Sequence, residues 1–263
     1  MCGATAWTRT ARVCGTNRRR WLVGRPTYLS LFSGIGGLDL GLDRAGWECV
    51  GQVELDPFCR QVLAKHWPEV PRHEDVRTAA AWWTSRPRPA VDMVCGGFPC
   101  QDVSVAGRRA GIEGEQSRLW IDFAAVVRAL RPRFVFVENA PGLLVRGFGR
   151  VVGDLAACGY DAEWDCIPAA AVGAPHLRAR VWLLAYPGGQ RDEADDALQA
   201  GWPQPVVHAG WSAEPDVCRV ADGLPRGLAG RLLRPLGNAV VPQVAEHVGR
   251  LLLDAFLGVP RGR

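Results

Sequence analysis

The residues best suited to chemistry are a cysteine and a glutamate, each placed at the end of an apolar run. Cys100 follows Gly96-Gly97-Phe98-Pro99 and precedes Gln101-Asp102-Val103-Ser104. The run before it, Val91 to Cys95, has the composition of a buried strand closed by glycines. Pro99 locks the backbone beside the thiol, so a strand-end turn presents it at a fixed place. The second run, Phe134-Val135-Phe136-Val137, ends in Glu138-Asn139 and then Pro141-Gly142. If the two runs are parallel neighbours in one sheet, Cys100 and Glu138 emerge at the same carboxyl edge, where open α/β sheets place their chemistry. A thiol facing a carboxyl group across a crevice suits covalent catalysis with an acid partner. Taken alone, a cysteine after a strand is more often a small core residue. A carboxylate at a strand end is more often a cap or a surface ion pair, so the surrounding elements must decide.

Those elements begin with a nucleotide-binding pattern. Thr27 to Phe32 reads as a strand, Ser33-Gly34-Ile35-Gly36-Gly37 as a turn, and the stretch after it as an amphipathic helix with Leu38, Leu40, Leu42 and Ala45 on its apolar side. Gly46 stops that helix, and a second strand, Cys49 to Val53, ends at Glu54. Glycines at a strand-to-helix turn let the backbone approach a ligand and free helix N–H groups to bind it. An acid at the end of the second strand is placed to hydrogen-bond ribose hydroxyls. The turn is not the dinucleotide fingerprint Gly-x-Gly-x-x-Gly and has no clear pyrophosphate cradle, which points to an adenosyl ligand without one. Asp75-Val76 could read an adenine edge, although Asp75 alone fits better as the cap of the helix that follows.

After Cys100, Ala106 to Gly114 is glycine-rich and basic, as a loop that closes over a polyanion would be. Helices are expected over Ser117 to Leu130, with Leu119, Phe123, Val126, Val127 and Leu130 at core spacing, and over Val151 to Cys158. Strands are expected over Tyr160 to Ile167 and Val181 to Ala185. Arg178 and Arg180 alternate just before the latter and share one face, which suits gripping a base or phosphate. From Tyr186 to Pro215 the composition shifts to Gly, Pro, Trp and acids, with one arginine against five carboxylates. The chain turns basic again through Arg219, Arg226, Arg231 and Arg234. Gly237-Asn238-Ala239-Val240-Val241-Pro242 then introduces a final helix to about Leu257, with Val244, Val248, Leu251, Leu252 and Phe256 as its core side.

At 263 residues the chain can bury a full core, and 48% hydrophobic with 22% charged residues is ordinary for a globular protein. No apolar run approaches a membrane span, and the start lacks the apolar core of a secretory signal, so the expected location is cytoplasmic. Nine cysteines without Cys-x-x-Cys or Cys/His spacing argue for reduced thiols and against a disulfide framework or a metal site. Net charge is +4, but residues 1–25 hold six arginines and no acid, which leaves −2 for the rest. Affinity for nucleic acid must therefore come from local patches.

In this order the segments resemble the C5-cytosine-specific DNA methyltransferases of bacteria and phages. They are Phe32-Ser33-Gly34-Ile35-Gly36-Gly37, Val53-Glu54, Asp75-Val76, Gly97-Phe98-Pro99-Cys100-Gln101, Phe136-Val137-Glu138-Asn139, Arg178-Ala179-Arg180 and Gly237 to Pro242. The resemblance implies an α/β fold, a Rossmann-like S-adenosylmethionine-dependent sheet with helices on both faces. It implies a catalytic domain over 26–185 and 236–258, a small irregular target-recognition lobe over 186–235, and a flexible basic arm over 1–25. Carried over by position, Phe32, Gly34, Ile35, Gly37, Glu54, Asp75, Val76, Gly97, Pro99, Leu119, Asn238 and Val240 take the cofactor. Cys100 is the nucleophile, Glu138 meets ring nitrogen 3 of cytosine, Arg180 the base, and Arg178 the surround of the active site. Ser104, Arg108, Arg109, Arg219, Arg226, Arg231 and Arg234 are the expected DNA contacts. His176 departs from the pattern, standing where the family usually has glutamine.

The partners implied are double-stranded DNA, a cognate restriction endonuclease acting separately, and no membrane, with the chain a monomer. Two alternatives stay open from sequence: an RNA cytosine methyltransferase on the same fold, and a catalytically silent DNA-binding protein.

Overall fold

The computed structural model describes residues 24–99, 119–189, 235 and 237–257. The strands are β1 (Thr27–Leu31), β2 (Glu48–Val53), β3 (Arg72–His73), β4 (Met93–Gly96), β5 (Phe134–Asn139), β6 (Tyr160–Ile167) and β7 (Arg180–Pro187). They form one sheet in the order β3-β2-β1-β4-β5-β7-β6. The five strands from β3 to β5 run parallel, and β7 lies antiparallel between β5 and β6. Parallel strands covered on both faces need unbroken apolar runs, and β4 and β5 are buried at every position.

Helices cover both faces, as the resemblance implies, with α2 (Pro57–His66) following β2 and the short α5 (Leu143–Arg146) following β5. On one face lie α3 (Val76–Thr84), α4 (Leu119–Leu130) and α6 (Phe148–Ala157), which pack Trp83, Phe123, Val127, Val151 and Leu155 onto the strands. On the other lie α1 (Gly37–Ala45) and α7 (Pro242–Leu257), which supply Leu42, Ala45, Val248, Leu252 and Phe256. Strand order reverses between β1 and β4, and a crevice opens at such a switch point, at the carboxyl ends of the strands. The turn after β1 and the turn after β4 therefore face each other across the site.

Three expectations need correction. Leu40 does not belong to the buried side of α1: it is exposed, whereas Asp39 is wholly buried. The buried stripe is Leu38, Asp39, Gly41, Leu42 and Ala45, because α7 lies against Gly41 and leaves no room for a side chain there. Arg25 is not part of a free arm. Its guanidinium donates to the carbonyls of Asp43 (3.0 Å), Gly46 (3.0 Å) and Trp47 (2.5 Å), satisfying orphan carbonyls at the end of α1. Finally, β7 continues through Tyr186, which is buried, to Pro187, beyond the point where composition changes.

The contact between α1 and α7 ties the last described helix, which starts at Pro242, to the first, which starts at Gly37. A Cβ at Gly41 would lie 2.5 Å from both the Pro242 carbonyl and the Ala245 Cβ. At Gly153, in α6, nothing lies within 4 Å. Gly41→Ala should therefore cost about 1–3 kcal/mol by overpacking, whereas Gly153→Ala should gain roughly 0.5–1 kcal/mol from helix propensity. Urea denaturation of the two variants checks the opposite signs.

Candidate active site

The carboxyl ends of β1, β2, β4 and β5 surround a cavity of about 970 Å³. Phe32, Gly34, Ile35 and Gly37 come from the turn after β1, Glu54 from the end of β2, and Asp75 and Val76 from the start of α3. Gly97 and Pro99 follow β4, Leu119 opens α4, and Asn238 and Val240 arrive from the segment before α7. Every residue assigned to the cofactor from sequence thus lines one space. Glu138 and Arg180 line it too.

Local geometry explains these residue types. Phe32 adopts φ 55°, a left-handed conformation that costs a non-glycine residue about 1–2 kcal/mol and that Gly34 (φ 56°) and Gly36 (φ 84°) continue at no steric cost. Gly37 must lack a side chain, because a Cβ would sit 2.5 Å from the Val240 carbonyl. The Glu54 carboxylate accepts from the Gly34 N–H (2.7 Å) and the Asp56 N–H (2.8 Å), bridging the turns after β1 and β2. Asp75 is the N-cap of α3, as its cap reading expects, accepting from the Arg77 N–H at 2.9 Å, and it also lines the cavity.

Below the glycine turn lies a cluster that sequence reasoning missed. The Asp39 carboxylate accepts from Ser30 Oγ (3.1 Å) and Gln52 Nε2 (3.0 Å), and Ser33 Oγ, on the cavity wall, donates to Ser30 Oγ at 2.9 Å. Burial pushes the Asp39 carboxyl up to about 6, its hydrogen bonds opposing the rise. Its position on the same stripe as Leu38, Leu42 and Ala45 was the available signal.

β4 and β5 are parallel neighbours, with Gly96 opposite Val137. Glu138 and Asn139 are themselves strand residues, paired to Trp182 and Val181 of β7. The Glu138 side chain is buried, and its Oε1 stands 3.2 Å from Arg180 Nε. Burial raises its pKa, while the Arg180 and Arg178 guanidiniums pull it down. A Cβ at Gly97 would meet Glu138 Oε2 at 2.8 Å, so the turn that leads to position 100 abuts this carboxylate. That turn is pinned twice: Asn139 Nδ2 donates to the Phe98 carbonyl (3.1 Å), and the Phe98 ring packs on Trp120 at 5.3 Å. Asn139 is thus a second positioning group that sequence reasoning left without a role.

Arg178, expected in the surround of the active site, is near enough to Glu138 to lower its pKa. It is buried apart from the cavity lining, and its Nη2 donates to the carbonyls of Gly237 (2.8 Å) and Ala239 (2.5 Å). Cys100, Ser104, Arg108, Arg109, Arg219, Arg226, Arg231 and Arg234 lie outside the described residues. Among the described residues no group of His, Cys, Asp and Glu could hold a metal ion, and no helix is long and apolar enough to cross a membrane.

The family model described as C-5 cytosine-specific DNA methylase matches residues 27–213. The chain belongs to that family. Among curated relatives, it is similar to the Type II methyltransferase M2.BsuMI of Bacillus subtilis, 36% identical over 165 residues that cover 60% of this chain and 41% of that protein. It is also similar to the Type II methyltransferase M.NgoFVII of Neisseria gonorrhoeae, 33% identical over 164 residues, or 61% and 43% of the two chains. The chain thus spans less than half the length of these relatives. The solved Entamoeba histolytica methyltransferase EhMeth shares the fold with a TM-score of 0.58 at 14% identity, over 88% of this chain and 99% of that one. In this C-5 cytosine methylase family member, the matched residues include both the β4 turn and the Glu138–Arg180 pair.

Asp39 gives the site a testable pH signature. Its folded pKa of about 6 exceeds the ordinary 3.8, so the folded state holds the proton more tightly than the unfolded chain. That favourable contribution is complete below the ordinary value and is lost as pH rises through 6. Relative to Asp39→Asn, the wild-type chain should lose roughly 1–2 kcal/mol of stability between pH 5 and pH 7.5. Parallel denaturant titrations of both chains at the two pH values check this.

Proposed function

We propose that the chain is a DNA (cytosine-5)-methyltransferase that takes S-adenosylmethionine in the 970 Å³ cavity and methylates a cytosine turned out of the duplex. The observation that carries the reading is the meeting of two things at one cavity edge. A buried carboxylate paired to an arginine abuts the turn that leads to Cys100, and the same cavity is walled by a glycine turn and a strand-end glutamate.

The cavity fits the cofactor in charge as well as in size. Its lining holds Glu54, Asp56, Glu74, Asp75 and Glu138 against Arg77 and Arg180. Such an acidic surround suits a cationic adenosyl compound and disfavours a dinucleotide pyrophosphate. Glu54 would hold the ribose, Asp75 and Val76 the adenine, and Phe32, Gly37, Asn238 and Val240 the remaining walls. When bound, S-adenosylmethionine supplies an electrophilic methyl group to carbon 5 of the base.

The side chains must make carbon 5 nucleophilic. The Cys100 thiolate adds to carbon 6, and the electron pair of the 5,6 double bond shifts toward the ring system. Glu138 meets nitrogen 3 and stabilises the charge that accumulates there. Its burial favours the protonated form, which can donate a hydrogen bond. Arg180, 3.2 Å from that carboxylate, fixes its orientation and opposes complete neutralisation. Loss of the carbon 5 proton then re-forms the double bond and releases the thiolate. A serine at position 100 would be far less nucleophilic near neutral pH.

Turning the base out costs a few kcal/mol, and Ser104, Arg108 and Arg109 are assigned to hold the DNA while it happens. Arg219, Arg226, Arg231 and Arg234 are assigned to the duplex phosphates. The role that follows is restriction-modification or protection of phage or host DNA by a cytoplasmic monomer, with any endonuclease acting separately.

The test is base-resolution conversion sequencing of plasmid DNA from a methylation-deficient host expressing the chain, beside Cys100→Ser. Protected cytosines in one recurring short context, absent with the variant, are expected. Full conversion with folded chain present would contradict the reading and direct the assay to RNA.

A further inference from the structure

The two arginines of the Arg178-Ala179-Arg180 stretch point at different partners. Arg180 pairs with Glu138, whereas Arg178 Nη2 reaches the Gly237 and Ala239 carbonyls at 2.8 and 2.5 Å. Arg178 also sits at φ 30°, a left-handed conformation that a non-glycine residue adopts only when its surroundings over-determine it. A buried guanidinium making charge-assisted bonds to main-chain carbonyls is a strong tether. Its target is a defined piece of the site: Gly237, Asn238, Ala239 and Val240 all line the cavity. This piece is pressed against the glycine turn so closely that Gly37 tolerates no Cβ beside the Val240 carbonyl.

We propose that Arg178 is a positioning residue that fastens the 237–240 segment across the cavity and thereby holds one wall of the cofactor site in place. This rests on the cavity being the cofactor site. The segment returns to the sheet after residues 190–234, and α7 anchors it only from Pro242 onward. Packing on Gly37 sets how near it can come, and Arg178 supplies the attraction that keeps it there. Because Arg178 and Arg180 are two residues apart on one strand entry, the same backbone fixes this wall and the ion pair of Glu138.

The proposal separates from a role in base contact by measurements on DNA-free protein. S-adenosylhomocysteine binding to the full chain, read by isothermal titration calorimetry, should weaken about tenfold or more in Arg178→Met, given the strength of charge-assisted bonds. Arg178→Lys, which keeps a charged donor of similar reach, should recover most of it. Amide hydrogen exchange without ligand should quicken at Val240 and Val241 in Arg178→Met and stay unchanged across 134–139. Wild-type affinity together with wild-type exchange at 240–241 would overturn the proposal and return Arg178 to the nucleic acid. If Arg178→Met fails to fold, Arg178→Gln, too short to reach both carbonyls, is read by the same exchange rates with the same two outcomes. If the wild-type chain binds no S-adenosylhomocysteine, the cofactor reading fails, while the ligand-free exchange still decides the tether.

Discussion

A buried carboxylate at the end of a central strand is the constraint around which this molecule is arranged. Glu138 is removed from water, and an ionised carboxylate there is tolerable only with a close cation, which Arg180 supplies at 3.2 Å. That requirement fixes β7 next to β5, since Arg180 opens β7 and Glu138 pairs with Trp182 on it. It also fixes the residue opposite: Gly97 has no side chain because Glu138 Oε2 occupies the place where one would begin. The turn after β4 is therefore held by the same group that performs acid chemistry in the proposed reaction. Anything that loosens the pair loosens the route to Cys100 as well.

The side of the cavity proposed for the cofactor is built on a different principle, main-chain proximity. Glycines at 34, 36 and 37 let β1, the Glu54 carboxylate and the 237–240 segment approach one another, with Phe32 taking the strain of the turn. The buried Asp39–Ser30–Ser33 chain supports that turn from beneath. Its energetic cost, seen in the raised carboxyl pKa, marks it as a place where stability is given up for a fixed loop.

Much of this was legible in the sequence because the parallel strands are continuous apolar runs and the glycines mark their ends. The roles of Glu54 and Asp75 could be read from their places at a strand end and a helix start. Phe32 and Val240 were assigned to the cavity by the family resemblance, and the juxtaposition of β4 and β5 was expected only on the condition that the two runs are parallel neighbours. What failed to show was set by tertiary packing. Leu40 matched an apolar pattern but faces outward, because α7 takes the Gly41 side of α1, and the wholly buried Asp39 drew no reading at all. Arg25 looked like part of a basic arm because sequence does not reveal the carbonyls at the end of α1. Arg178 and Arg180 were indistinguishable by type and alternation. Their partners, main-chain carbonyls for Arg178 and a carboxylate for Arg180, are what distinguish the proposed tether from the proposed base contact.

The central claim is that Cys100 attacks the base whose nitrogen 3 meets Glu138. Its most direct test replaces cytosine in the substrate DNA with 5-fluorocytosine. Fluorine at carbon 5 cannot depart as a proton does, so once the methyl group has been transferred the thiol cannot be expelled. Incubation with S-adenosylmethionine, digestion and peptide mass spectrometry should find the nucleotide adduct on the peptide containing Cys100. Recovery of no adduct from folded, cofactor-binding chain, or an adduct on a different cysteine, would contradict the account.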